Sequence, residues 1–298
     1  MKPWCDARRF TLRRDSGALR NSSFTPRKDG RVDVTETSDE TRSDVVDQQF
    51  VTQFREDGFT HIPNVLTPEE VAHYREAALE AIEREGMVAG MGMKVGRTAV
   101  RTTKDAFRNN EVLRSLARHP RIGAIAEQLS GISLRVWGGE TLVKSPGDEL
   151  PTMWHDDLTL APLDGRLLLN AWIALVDVPV ERGCMTFLPG SHRRPEPFRA
   201  PLSAAQLKPD SYLFDTYPQL AWGRRVTVPL RAGDATFHQW RTGHTAGGNF
   251  SEADRIAFIT TYTDAEATYR PHPGHQWADL ETGQRPPDDI YPRVADFV

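Results

Sequence analysis

Cysteine is scarce in this chain: Cys5 and Cys184 are the whole supply. Two thiols so far apart make no disulfide framework, and this usage points to a reducing cytoplasm as the compartment. No apolar run reaches the roughly 18 residues that a transmembrane helix needs. The N-terminus is rich in arginine but has no apolar stretch of the kind that directs secretion. An excess of one charge is missing as well, since 37 Lys and Arg stand against 41 Asp and Glu. That balance excludes the electrostatic footprint of a nucleic-acid binder or of a protein drawn to anionic membrane. No internal repeat is visible. What remains is an ordinary globular composition, 39% hydrophobic and 26% charged over 298 residues, enough for one β-sandwich with added helices.

Residues 1–46 have few apolar positions at any period, so they are expected to form a disordered extension ahead of one domain at 47–298. The segment Gln49–Phe54 reads as a helix and Gly58–Pro63 as a strand ended by proline. Thr67, Pro68 and Glu70 form a helix start with a capping box, and apolar spacing carries that helix to about Arg84. Glycines at 86, 90, 92 and 96 give residues 86–110 the composition of a mobile segment able to close over a site. A helix over Glu111–Leu129 should break at Pro120. From Ser133 the pattern turns to strands: 134–137, 140–144, a long apolar run at 167–178, then 184–188, 226–230, 234–237 and 256–262. The poorly periodic 195–225 is a second candidate lid. Many short strands with helices gathered on the N-terminal side predict a mainly β fold, a sandwich or jelly roll.

The chemistry centres on Met153-Trp154-His155-Asp156-Asp157. Residues two apart on a strand project from one face, which would set His155 beside Asp157 and turn Asp156 away. With His244 they would complete a two-histidine, one-carboxylate set, the ligand type that leaves open positions on non-haem Fe(II). An isolated H-x-D is a weak signal, and its plain alternative is a surface histidine beside solvated acids. His238 is the rival for the third ligand. It lies close enough before His244 for both to face one way on a long strand. His192 reads as part of a Pro-Gly-Ser-His turn.

Taken together, several segments resemble the phytanoyl-CoA dioxygenase family: 54–59 through 68–71, Lys144-Ser145-Pro146-Gly147, His155-Asp156-Asp157, Ala171-Trp172-Ile173-Ala174-Leu175, 183–192, and Gly233-Asp234 through His244 and Asn249 to Arg255. The resemblance runs in order from about residue 50 to 265 and implies a double-stranded β-helix (jelly roll) with N-terminal flanking helices. It implies Fe(II), 2-oxoglutarate as cosubstrate and O2. It assigns His155, Asp157 and His244 as catalytic iron ligands and Arg255 as the partner of the distal carboxylate of 2-oxoglutarate. A guanidinium suits that task because it grips a carboxylate with two parallel hydrogen bonds. Lys144 and Trp172 match further cosubstrate contacts, and Thr245 could add a hydroxyl. Glu140 stands where relatives often have an uncharged residue, so it is expected to turn to the substrate or to pair with Lys144. Related halogenases carry Gly or Ala at the position of Asp157, so hydroxylation or another oxidation is implied, not chlorination. The expected substrate is a small or medium metabolite, acted on in the cytoplasm by a monomer or homodimer without nucleic acid or membrane. A non-catalytic metal- or ligand-binding jelly roll and a zinc-dependent hydrolase on the same residues are the alternatives.

Overall fold

The computed structural model describes residues 46–85, 87–88, 100–103, 106–194, 212–271 and 278–298. Apart from Val46, the expected extension at 1–46 lies outside the described residues.

The chain enters through α1 (Gln48–Asp57), whose start is fixed by the Asp47 side chain accepting the Gln49 N–H at 2.9 Å. Such caps contribute about 1 kcal/mol. The helix stops at Gly58, held at φ 83° with its N–H on the Phe54 carbonyl. A Cβ there would lie 2.4 Å from the His192 ring, so both backbone and space require glycine. After β1 (Phe59–Ile62) comes α2 (Pro68–Glu85) with the predicted capping box: Glu70 N–H to Thr67 Oγ1 at 3.2 Å, Thr67 N–H to Glu70 Oε2 at 2.8 Å. The segment read as one mobile loop holds instead β2 (Met87–Val88), β3 (Arg101–Thr103) and α3 (Ala106–Asn109), while 89–99 lie outside the described residues. The β-branched Thr102-Thr103 pair with the next strand, which is why this part is sheet. The expected break at Pro120 separates α4 (Glu111–Ala117) from α5 (Pro120–Ser130).

Two predicted strands prove to be one, β4 (Leu134–Lys144), with a register shift opposite Thr261 and Tyr262. Gly139, between the two expected strands, is a point of close approach. A Cβ on Gly139 would sit 2.8 Å from Phe258 and 3.2 Å from the Cβ atoms of Phe107 and Ala117, where α3 and α4 press on the sheet. The short β5 (Leu163–Asp164) precedes β6 (Leu168–Ala174). The apolar run continues past β6, yet the strand ends at Ala174 because the chain crosses to the other sheet; Val178 there bridges Leu230. Then follow β7 (Met185–Phe187), α6 (Tyr212–Thr216), β8 (Val226–Val228), β9 (Ala235–Gln239), β10 (His244–Ala246), β11 (Arg255–Asp264) and β12 (Thr268–Tyr269). Of the second expected lid, 195–211 lie outside the described residues, and 212–222 are α6 and a 3-10 turn.

Among the described residues the larger sheet has the order β1-β9-β6-β11-β4-β3-β2 and the smaller β10-β7-β8. Their pairings are antiparallel. The sheets face each other: Phe59 of β1 stacks on Phe187 of β7 with ring centroids 4.3 Å apart. This is the double-stranded β-helix, with the helices on the outer face of the larger sheet. Phe258 and Ile256 of β11 are buried on that outer face. The alternate residues Arg255, Ala257, Ile259 and Thr261 line the interior. Register sets Asn170 and Trp172 of β6, Thr236 and His238 of β9, and Glu140 and Lys144 of β4 on the same inner surface.

Candidate metal centre

His155 reaches the interior from the loop after β4. It forms a two-way backbone bridge with His244: His155 N–H to His244 O at 3.0 Å and His244 N–H to His155 O at 2.8 Å. The rings lie 4.2 Å apart at their centroids. Each Nδ1 faces a backbone carbonyl, Met153 O at 2.7 Å for His155 and Thr242 O at 2.9 Å for His244. A carbonyl only accepts, so each Nδ1 carries a proton and Nε2 is the atom left to meet a metal.

Asp157 opens a 3-10 turn, Asp157–Leu160, and its N–H is held by the Trp240 carbonyl at 2.7 Å. The H-x-D segment is therefore no regular strand, and alternation along a strand does not explain its geometry. The bridge at His155 followed by the tight turn brings both side chains inward. Asp156 does point away, because it is bound to Arg194 in a buried ion pair. Asp157 Oδ1 is 3.6 Å from His155 Nε2 and Oδ2 is 3.8 Å from His244 Nε2. One donor atom from each of the three residues lies within 4.8 Å of the others. Burial alone would raise the Asp157 carboxyl, but His244, His238 and His155 outweigh it and hold the group well below the usual carboxylate range. Burial, reinforced by His155 and opposed by Asp157, draws His244 down to about 3. An ionised carboxylate and a neutral imidazole are the forms that ligate a metal.

His238 also faces this centre, with Nε2 3.4 Å from Asp157 Oδ2 and its ring 4.6 Å from that of His244. The two histidines do not share a long strand. β9 ends at Gln239 and β10 begins at His244, and the turn between them carries the chain from one sheet to the other. The grouped donors are those of His155, Asp157 and His244. His192 is buried, with Nε2 against the Arg55 carbonyl at 3.1 Å, as a turn residue should be.

Farther along the inner face stand two buried cations, Arg255 and Lys144, directly paired across β11 and β4. Arg255 is 1% exposed and its guanidinium has no hydrogen bond or ion pair among the described residues; Nε is buried and unsatisfied. Trp172 lies beneath it, ring centroid 5.4 Å from Cζ. Burial draws Arg255 down to about 10, with Asp148 opposing, so it is cationic at neutral pH. An uncompensated buried charge costs several kcal/mol, which a bound carboxylate would offset.

Two of the expected cosubstrate residues, Lys144 and Thr245, make their bonds within the protein. The Lys144 ammonium donates to the carbonyls of Gly247 at 2.6 Å, Leu150 at 3.2 Å and Ala246 at 3.3 Å. All three of its donors are used, so it fastens loops and is not free for a ligand. Thr245 sits on the opposite face of β10 from His244, and its hydroxyl donates to the Thr152 carbonyl. Glu140 is half-buried on the inner face, and the strand sets it well apart from Lys144. Residues four apart on a strand lie roughly 13 Å apart; that spacing makes neighbours only on a helix.

An open two-histidine, one-carboxylate cluster inside a double-stranded β-helix, with a carboxylate-seeking arginine nearby, defines the scaffold of a metal-dependent oxygenase. The family model for phytanoyl-CoA dioxygenase (PhyH) matches residues 54–257. The chain therefore belongs to this family of Fe(II)- and 2-oxoglutarate-dependent dioxygenases. It is 28% identical over 165 residues to phytanoyl-CoA dioxygenase domain-containing protein 1 of Mus musculus, covering 54% of this chain and 55% of that protein. The chain spans about half the length of the first curated relatives it matches. Solved structures align more fully. The epimerase SnoN, in complex with Fe3+, alpha ketoglutarate and nogalamycin RO, is 39% identical with TM-score 0.73, covering 83% of this chain and 98% of that one. The alpha ketoglutarate-dependent carbocyclase SnoK from nogalamycin biosynthesis is 40% identical with TM-score 0.73, covering 84% and 96%.

Proposed function

We propose that this chain is a 2-oxoglutarate-dependent oxygenase that oxidises a small or medium metabolite, in the tailoring of a natural product. The observation that carries the reading is the convergence of His155, Asp157 and His244. Iron, 2-oxoglutarate and O2 bound there supply the oxidising power. The two imidazoles offer Nε2 and Asp157 offers an ionised carboxylate. Three protein donors would hold the ion and leave it open to cosubstrate and O2. Arg255, backed by Trp172, takes the distal carboxylate and so fixes which way the cosubstrate lies. The inner wall, including Phe59, Phe187 and Ala257, keeps water from the centre.

Arg255 sets this reading above hydrolysis by a bound zinc, where a buried cation in need of a carboxylate has no part. The carboxylate of Asp157 keeps chlorination out of the proposal. SnoN and SnoK, called an epimerase and a carbocyclase, support a reaction class wider than hydroxylation. The partner is a small molecule, and the buried free thiol of Cys184 suits the cytoplasm. No helix among the described residues is long and apolar enough to cross a membrane.

The test is anaerobic titration with Fe(II) and 2-oxoglutarate. Wild type should develop a weak visible charge-transfer band, and His244→Ala should not. A wild type that stays colourless overturns the proposal; a band that survives in His244→Ala moves the third ligand to His238.

A further inference from the structure

Within the apolar run of β6 one amide, Asn170, faces the interior, 6% exposed. Its Nδ2 donates to Asp157 Oδ2 at 2.9 Å. Its Oδ1 accepts twice, from the Trp240 indole N–H at 3.0 Å and from the Thr261 hydroxyl at 2.9 Å. This arrangement fixes the amide without ambiguity. An indole N–H only donates, so the oxygen must face Trp240 and the NH2 must face Asp157; a flipped amide would set donor against donor. Three elements converge to hold it: β6 with Asn170, β11 with Thr261, and the turn after β9 with Trp240.

We propose that Asn170 is a positioning residue that makes Asp157 a one-oxygen ligand. The inference rests on the reading of Asp157 as a metal ligand. Oδ2 is engaged by the Asn170 amide, and the His238 ring lies on the same side, directly opposite Asn170 in the sheet. Oδ1, on the His155 side, is the oxygen left free. A carboxylate that could swing to offer both oxygens would take a fourth coordination position. That would leave two where cosubstrate and O2 need three. Asn170 thus keeps the centre open, and it does so through another residue, without touching the reacting atoms.

Cobalt(II) is a suitable probe, because its visible spectrum reports coordination number and it needs no turnover. Asn170→Ala should bind Co(II) about 10- to 100-fold more weakly, the usual range for a lost partner of a metal ligand. Its spectrum should shift, while the metal-free protein keeps the wild-type melting temperature within a few degrees. Unchanged Co(II) affinity and spectrum in folded Asn170→Ala would overturn the inference. Should that variant fail to fold, the double variant Trp240→Phe, Thr261→Val keeps the amide and removes both donors that orient it. Weaker binding with an altered spectrum supports the role, and unaltered binding ends it. Asp157→Ala separates the two levels. Co(II) binding retained without Asp157 overturns the metal reading itself. Binding lost in Asp157→Ala but unaltered in Asn170→Ala overturns only the role of Asn170.

Discussion

Lys144 and Arg255 face each other across two strands, are equally buried, and are both basic. One ammonium is tied to three backbone carbonyls, while the guanidinium beside it has no acceptor among the described residues. The difference separates a cation that completes the fold from one that awaits a ligand. Burial is the same for both; the acceptors already spent are what tell them apart.

Breaking the Arg255 side should have the larger effect. Arg255→Met is expected to weaken 2-oxoglutarate binding by about 100- to 1,000-fold, in line with loss of a buried bidentate charge pair. Co(II) affinity should stay near wild type. Stability should hold or rise, because an unpaired buried charge has been removed. Titrations with metal and with cosubstrate, plus a melting curve, check all three.

Lys144→Met should act the other way. It takes the donor from the Gly247 and Leu150 carbonyls, while Ala246 keeps the Thr152 N–H, so a loss of about 2–4 kcal/mol of stability is expected, read by urea unfolding. The 2-oxoglutarate affinity should move far less than in Arg255→Met. An equal loss of affinity in both would return Lys144 to the cosubstrate site.

Proton linkage sharpens the contrast. Burial first, and Arg255 next, draw Lys144 down to about 7 against the pull of Asp148. The unfolded chain, with an ordinary lysine near 10.4, then holds a proton that the folded chain has released. Stability from this group therefore rises as pH climbs from about 7 towards 10 and is at its lowest below that window. The difference between wild type and Lys144→Met should grow over that range. A flat difference would mean that the three carbonyls hold the proton on.

Thr245→Val should show the smallest change, less than about 1 kcal/mol of stability and no shift in the KM for 2-oxoglutarate. Among the described residues its hydroxyl serves the Thr152 carbonyl.

Much of the fold was legible because local chemistry decides it. The cap at Thr67 and Glu70, the break at Pro120 and the turn around His192 each depend on neighbours in sequence. The join of 134–137 and 140–144 into one strand was not legible, since the close approach at Gly139 exists only once α3 and α4 are placed. The site divides the same way. His155, Asp157, His244 and Arg255 carry spacings and residue types that point to a metal and a carboxylate. Asn170 left only a weak trace, a lone amide in an apolar run, because its partners Asp157, Trp240 and Thr261 come from three other parts of the chain.

The sequence by itself determined which side chains could hold a metal and that strands would dominate, because residue chemistry and periodicity are local properties. Only the tertiary structure decided how those side chains are used. Whether a buried cation is already satisfied, which histidine completes the cluster and which carboxylate oxygen stays free depend on strand register and on carbonyls brought in from distant loops, and no spacing along the chain encodes them.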